Sequence, residues 1–210
     1  TYSEGFKSGG VQYANSVPSL AQEMYEPERL TSYEAGIKSR FFHNTVQLNA
    51  SIFKYFYEEQ QIRTIRQING APTGFTENAG ESELEGFELD FNAAITADLK
   101  LTLSYAYLNA EFVSFDSQDG ADLTGNILPR SPKNTVKTGL NYFIEVGDYA
   151  EVVLDAHYSY TSEYHFSEKN LPWAMQESYS TVDLSAALDF FETDISVRVF
   201  CTNCTDEVIF

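Results

Sequence analysis

Apolar and polar residues alternate at every second position over most of this chain, and this pattern constrains the fold more than any other feature. In one segment the apolar residues are Val46, Leu48, Ala50 and Ile52, and the residues between them are polar. Because successive side chains of a β-strand point to opposite faces, such a segment has one apolar and one polar face. Helical spacing of apolar residues is nearly absent. The sequence therefore predicts an all-β protein.

The alternation predicts an antiparallel up-and-down meander of about nine long strands. Their predicted ranges are 2–8, 31–41, 45–60, 78–92, 98–113, 134–144, 150–165, 178–190 and 194–202. Many exceed the roughly 5–6 residues usual in soluble proteins and match the roughly 9–11 tilted residues that cross a bilayer. Short connections alternate with long ones, which cover 9–30, 61–77, 114–133 and 166–177. This pattern is typical of a transmembrane β-barrel and favours it over a secreted β-sandwich.

Ionisable residues recur on the predicted polar faces. They are Glu88, Asp90, Asp155, His157, Asp183, Asp189 and Arg198. A dry protein core cannot hold so many charges without partners, whereas a water-filled or plugged lumen can. The polar faces are therefore predicted to line the inside of a barrel, and the apolar faces to meet lipid. A second protein layer over the row of Val46, Leu48 and Ile52 would contradict this hypothesis.

Composition and charge exclude several other classes. Asp and Glu number 31 and Lys and Arg 13, so the formal net charge is −18, which argues against a nucleic-acid-binding surface. No apolar run exceeds four residues, so neither a transmembrane helix nor a signal-peptide core is present in the 210 residues. With 16 Phe and 14 Tyr the chain is also unlike a disordered protein.

An ordered set of short motifs resembles the C-terminal β-barrel of TonB-dependent outer-membrane receptors. The motifs are GFKSGG at 5–10, PERLTSYEAGIKS at 27–39, NASIF at 49–53, NAG at 78–80, EGFE at 85–88, PRSP at 129–132 and NCTDE at 203–207. The resemblance covers essentially the whole chain, so residues 1–210 are expected to be one partial barrel. Barrels of this family have 22 strands and carry a plug domain and a TonB box. The resemblance therefore implies a fragment without plug, TonB box and final strand, which in isolation would be a curved open sheet with two unpaired edges or closed only by strain.

The resemblance also implies a function, which is import of a scarce ligand across the outer membrane of a Gram-negative bacterium. The ligand expected is a ferric siderophore or similar iron complex, and TonB supplies the energy through the plug. The other implied partners are outer-membrane lipid and lipopolysaccharide. No enzymatic activity, cofactor, metal site or nucleic acid is expected. Two alternatives stay open, a non-transport adhesin or structural outer-membrane barrel, and a secreted carbohydrate-binding β-sandwich.

The long connection at 61–77 contains the first candidate ligand-binding residues, Arg63, Arg66 and Phe75. Two arginines beside an aromatic ring at the mouth of a barrel could hold an anionic ferric chelate through charge-assisted hydrogen bonds. The alternative is that these are ordinary solvated charges of an exposed loop.

A second candidate group lies in and beside the connection at 166–177. Tyr164, His165 and Trp173, together with Phe166, could stack on catecholate or sugar rings. The same rings could instead anchor the protein at the membrane interface.

Two further motifs are assigned to structure. Asp116, Asp119 and Asp122 do not match the spacing of an EF-hand calcium loop, so a solvated acidic loop is favoured, although bridging of lipopolysaccharide through divalent ions stays possible. Cys201 and Cys204 lack further ligands for zinc, which leaves either a local disulfide or two inert thiols.

Overall fold

A computed structural model describes residues 1–12, 23–68, 70–117, 120–193 and 195–210. Its strands are β1 (Tyr2–Lys7), β2 (Gly10–Val11), β3 (Met24–Tyr25), β4 (Glu28–Phe41), β5 (Val46–Ile68), β6 (Ala71–Ala94), β7 (Leu99–Ser114), β8 (Asn134–Val146), β9 (Ala150–Thr161), β10 (Tyr164–His165), β11 (Met175–Gln176), β12 (Tyr179–Phe190) and β13 (Ser196–Cys201). Over these ranges no helix has the length and apolar character needed to cross a membrane.

Nine of the strands form one antiparallel sheet. Their order is β1-β4-β5-β6-β7-β8-β9-β12-β13, so each long strand pairs with the next long strand along the chain. The sheet is not closed, and β1 and β13 are its edges. The predicted meander of nine strands is therefore confirmed, with small differences in the bounds except at β5 and β6, which are much longer than predicted. For example, the strand predicted at 150–165 ends at Thr161.

The two faces of the sheet have the predicted opposite character. Ile52 pairs with Phe87 on the apolar face, and the adjacent pair, Ser51 with Glu88, lies on the polar face. Ile52 is 63% exposed, and among the described residues no second layer covers the apolar face. The alternative of a β-sandwich is therefore wrong, because a sandwich would bury this face against another sheet.

The prediction that 61–77 is a loop is wrong. The pairing of β5 with β6 continues through Arg63 and Thr76 to Ile68 and Ala71, and Gly70 lies in the turn with a φ of 80°. β5 alone is about 75 Å long at roughly 3.3 Å per residue, whereas the apolar band of such barrels is only about 25 Å tall. The end of this hairpin therefore extends well beyond an apolar band of that height.

The level at which the apolar face of β5 and β6 ends is marked by charges. Next to Ile52 on this face lies Lys54, whose Nζ is 2.8 Å from Glu83 Oε2 and 3.3 Å from Glu85 Oε2. The same Nζ lies 5.1 Å from the centre of the Phe56 ring. An ion cluster with an adjacent aromatic ring suits the lipid headgroup region, so the apolar band ends here.

Short connections join the strands at the opposite end of the sheet. In one of them, Phe42, His43 and Asn44 all have positive φ values, of 50°, 57° and 71°. The amide and the hydroxyl of Thr45 both donate to the Phe42 carbonyl, at 3.2 and 2.8 Å, and close this turn. The predicted separation of short and long connections is therefore present for the long connections predicted at 9–30, 114–133 and 166–177, whereas 61–77 is a hairpin.

Candidate functional site

Four segments at the end of the sheet with long connections form what we call the loop layer. They are the first connection (8–27, of which 13–22 lie outside the described residues), the hairpin tip (59–80), the second connection (115–133) and the third connection (162–178). The first connection contains the short pair β2–β3, and the third contains β10–β11.

An apolar cluster, which we call the loop core, joins the hairpin tip to the second connection. Its buried members are Ala79, Ala110, Phe112, Phe115, Leu123 and Leu128. The rings of Phe112 and Phe115 have centroids 5.0 Å apart, and Phe112 is fully buried. The Leu123 amide donates to the Phe115 carbonyl at 2.8 Å, so the second connection folds back on itself over this cluster. The loop core therefore gives the loop layer a hydrophobic centre of its own.

The hairpin tip has two different faces. Thr64, Phe75 and Glu77 lie on one face, where all three are buried, and the Thr64 hydroxyl donates to Glu77 Oε1 at 2.8 Å. Arg63 lies on the other face, paired with Thr76. Phe75 is only 1% exposed. Phe75 is therefore not presented at the mouth as predicted, because it lies on the face of the hairpin that is buried against other parts of the protein.

Arg63 remains exposed on its own face of the hairpin. Its guanidinium lies across Gly74, where a Cβ atom would stand 3.1 Å from Nη2. The lack of a side chain at Gly74 thus leaves room for the arginine. The side chain of Arg66 lies outside the described part of the structure, so the proposed pair of arginines stays a prediction.

The third connection places its three candidate residues in different surroundings. The Tyr164 ring meets Phe166 edge to face, at 5.6 Å and 83°. The His165 carbonyl accepts a hydrogen bond from the Arg130 amide at 2.8 Å, and within the described residues the buried His165 Nδ1 has no hydrogen-bond partner. Trp173 is 82% exposed. Tyr164 and His165 therefore belong partly to the packing of the connection, whereas Trp173 presents its ring to solvent.

The acidic residues of the second connection are used in a turn. Asp116 and Asp122 form an isolated β-bridge, and Asp119 lies outside the described residues. The hydroxyl and the amide of Thr124 lower the pKa of the Asp122 carboxyl by hydrogen bonding, the amide at 2.9 Å from Oδ1. This carboxylate thus has a structural role in the turn.

Cys201, the last residue of β13, forms a disulfide with Cys204. Of the two alternatives left by the sequence, the structure shows the local disulfide. The Cys204 amide donates to the Val182 carbonyl at 2.8 Å, so the bridge lies beside β12 at the loop end of the sheet.

The polar face of the sheet carries a groove of about 890 Å³. Its lining includes Glu34, Lys38, Ser51, Glu88 and Asp90. The Ser104 hydroxyl donates to Asp90 Oδ1 at 2.7 Å, and the Tyr55 hydroxyl donates to Glu34 Oε1 at 2.5 Å. Such a hydrogen-bonded, hydrated surface can line a path for a polar solute.

Three carboxamide side chains that connect the loop layer were not among the residues predicted from sequence. They belong to Gln12, Asn78 and Asn170. One signal is visible in the sequence, since Asn170 stands two residues before Pro172, and Asn is the residue after Gly that best tolerates the left-handed backbone seen there, with a φ of 48°. Their partners are distant in sequence, so the contacts themselves leave no local pattern.

Comparisons with known proteins agree with this geometry. A relative in Acinetobacter baumannii, described as the probable TonB-dependent siderophore receptor PiuA, is 27% identical over 195 residues, which are 90% of this chain and 24% of that protein. The metal-pseudopaline receptor CntO of Pseudomonas aeruginosa is 29% identical over 97 residues, covering 46% of this chain and 13% of that protein. The chain therefore spans about a quarter, or less, of the length of these relatives.

Solved structures show the same fold. The ferric yersiniabactin uptake receptor FyuA from Yersinia pestis superposes with a TM-score of 0.79 at 20% identity, over 98% of this chain and 29% of that one. The siderophore receptor PiuA from Acinetobacter baumannii gives a TM-score of 0.72 at 22% identity, over 98% and 29%. The family profile described as "TonB dependent receptor-like, beta-barrel" matches residues 1–203. The chain thus belongs to the TonB-dependent receptor β-barrel family and represents part of its barrel.

Proposed function

We propose that this chain is a segment of a larger outer-membrane receptor that imports a ferric siderophore or similar iron complex with energy from TonB. The observation that carries the proposal is a single-layer sheet with an uncovered apolar face, a polar face with ionisable groups, and a loop layer at one end. In a barrel these three parts serve as the lipid-facing wall, the aqueous lumen and the ligand-binding mouth.

The rest of the proposed receptor lies outside these 210 residues. We place the plug domain, the TonB box and the final strand there, and we assign TonB binding to the plug and the box. The unpaired backbone groups along β1 and β13 are where further barrel strands would pair, since an open sheet edge is not stable in lipid. The family argues for the outer membrane of a Gram-negative bacterium, with lipid and lipopolysaccharide as neighbours, and against an enzyme.

The names of related proteins support an iron complex as the ligand. They describe a siderophore receptor, a metal-pseudopaline receptor and a ferric yersiniabactin uptake receptor. For this chain we propose Arg63, Arg66 and Trp173 as ligand contacts, together with Tyr164 and His165 of the third connection. The exposed guanidinium of Arg63 supports an anionic ligand group, and the exposed ring of Trp173 supports stacking on a planar chelate.

The test uses the full-length gene in its own host. We expect its deletion to abolish growth in iron-limited medium on one class of ferric chelate, in a panel that includes anionic catecholates, neutral hydroxamates and cationic hydroxamates. Uptake of radiolabelled iron should stop for the same class. If deletion leaves growth and uptake unchanged on every chelate but reduces adhesion to host surfaces or glycans, the adhesin alternative replaces the receptor.

The same host tests the proposed ligand contacts. Arg63→Ala and Trp173→Ala should each raise the concentration for half-maximal uptake by roughly tenfold, which is the effect of losing one charge-assisted hydrogen bond or one stacked ring. Arg40→Ala is the matched control, because Arg40 lies near the end of β4 that carries the short connections. Equal effects of all three substitutions would contradict the assignment of the site.

A further inference from the structure

Three carboxamide side chains in the loop layer make the same unusual contact. Each one pairs with both the N–H and the C=O of a single residue in another part of the chain. The pairs are Gln12 with Thr76, Asn78 with Glu26, and Asn170 with Ile127. A primary carboxamide presents its C=O and one N–H on the same side, as an extended residue presents its own N–H and C=O, so each contact copies one rung of an antiparallel β-ladder. We call each of them a carboxamide clamp.

Two of the clamps join the first connection to the hairpin tip, and the carboxamide of one clamp comes from each segment. Asn78 Oδ1 accepts from the Glu26 amide at 2.8 Å, and its Nδ2 donates to the Glu26 carbonyl at 3.0 Å. In the reverse direction, Gln12 Oε1 accepts from the Thr76 amide at 3.1 Å, and its Nε2 donates to the Thr76 carbonyl. Each segment therefore supplies one carboxamide and the backbone N–H and C=O of one residue. Gln61 adds a bond from its Nε2 to the Ser8 carbonyl, at 2.9 Å.

The third clamp joins the second connection to the third. Asn170 Oδ1 accepts from the Ile127 amide at 2.7 Å, and Nδ2 donates to the Ile127 carbonyl at 2.8 Å. Next to this clamp, Asn126 Nδ2 donates to the Glu168 carbonyl at 2.9 Å. These bonds cross between segments that are about forty residues apart in the chain, since Asn170 and Ile127 are separated by 43 positions.

Together with the loop core, the clamps connect all four segments. The first connection is clamped to the hairpin tip, the tip shares the loop core with the second connection, and the second connection is clamped to the third. Trp173 lies in the last of these segments, and Arg63 lies on the hairpin tip. These two of the proposed ligand contacts are thus held in one connected layer.

We propose that Gln12, Asn78 and Asn170 are positioning residues whose carboxamide clamps hold the described parts of the four segments as one preorganised rim for ligand binding. The proposal rests on the proposed function only for its binding part. Ordering the segments before a ligand arrives removes the entropic cost of ordering them during binding, and this slows ligand dissociation. A carboxamide is suited to the role because a carboxylate would place a second acceptor against the carbonyl oxygen.

The first experiment does not depend on a ligand. In the full-length receptor, Asn170→Gly removes the carboxamide without backbone strain, because glycine accepts the φ of 48°. Hydrogen exchange of the Ile127 amide should accelerate on the order of tenfold. Asn170→Asp keeps the acceptor for this amide, so its protection should be retained better than in Asn170→Gly. Asn92→Asp is the control, since Asn92 lies near the end of β6 beside the short connections. Unchanged exchange in Asn170→Gly would overturn the clamp.

The second experiment tests positioning. Two probes, a radiolabelled ferric tris-catecholate and a radiolabelled ferric trihydroxamate, are bound to cells that carry the receptor. For the probe that the receptor takes up, Asn170→Gly should speed dissociation on the order of tenfold and leave the maximal uptake rate at saturation unchanged. A substitution that only destabilised the receptor would reduce the amount of folded receptor and so lower the maximal uptake rate. Faster exchange with unchanged dissociation would overturn the positioning role. Uptake of neither probe would refute the proposed function for these ligands and leave the exchange result to decide on the clamp.

Discussion

At the scale of single residues, Phe112 contributes most directly to the order of the loop layer. It is fully buried in the loop core, between residues of the hairpin tip and the second connection. Phe112→Ala should lower the local free energy of unfolding by about 3–5 kcal/mol, because the substitution leaves a cavity that the surrounding residues cannot fill completely. Limited proteolysis of the second connection in the full-length receptor measures this loss.

Val113→Ala is the matched control for Phe112. Val113 is the next residue along β7, where the pairing of β6 with β7 shifts register, and it is 38% exposed. Its truncation should cost about 1 kcal/mol or less and leave the second connection resistant to protease. Equal cleavage in the two variants would show that the loop core does not stabilise this connection.

At the scale of structural elements, we predict that the extended hairpin of β5 and β6 stabilises the first and second connections and is not needed for the sheet to form. Replacing residues 62–77 with an Asn-Gly turn joins Gln61 to its partner Asn78. The barrel should still form. The measurement is the difference in electrophoretic mobility between unheated and heated samples of the receptor. The first and second connections should be cleaved faster, because the shortened hairpin lacks Thr76, the partner of Gln12, and Ile62, which packs on the loop core.

A smaller replacement separates this effect from the length of the hairpin. Exchanging only residues 67–72 for Asn-Gly keeps Thr64, Phe75 and Glu77 in place and joins positions that already face each other, Arg66 and Thr73. Cleavage of the two connections should then stay at the level of the unaltered receptor. Faster cleavage here would mean that hairpin length, not packing, protects the connections.

The hairpin also shows which part of the fold the sequence could reveal. Segments such as 46–52 have one apolar and one polar face, and this difference produces the alternation that predicts their strands. From Lys54 towards the hairpin tip, both faces of the hairpin contact protein or water. An apolar face is therefore not required there, and the alternation is lost. Residues 61–77 therefore resemble a loop in composition, although they belong to β5 and β6 on either side of the turn.

The candidate site is harder to predict from the sequence than the strands, because its residues leave no periodic pattern. Arg63 and Trp173 were identified by chemical type alone, and both are exposed in the structure. Phe75 was chosen by the same criterion, and its burial depends on a partner strand that its own segment does not reveal. The carboxamide clamps depend on residues as far apart as Gln12 and Thr76, and such contacts become visible only in three dimensions.

At the scale of the whole molecule, the assignment of the two faces can be tested with adjacent residues of β5. Ile52→Arg places a charge on the apolar face, whereas Ser51→Arg places the same charge on the polar face. If the apolar face meets lipid, Ile52→Arg should reduce the free energy of unfolding of the full-length receptor in lipid vesicles by about 2–4 kcal/mol. Ser51→Arg should cost much less, because the polar face borders water and carboxylates such as Glu88. Unfolding in urea measures both values, and the amount of receptor in the outer membrane should follow the same order. Equal costs, or a greater cost for Ser51→Arg, would contradict a lipid-facing wall, and with it the barrel on which the proposed transport function depends.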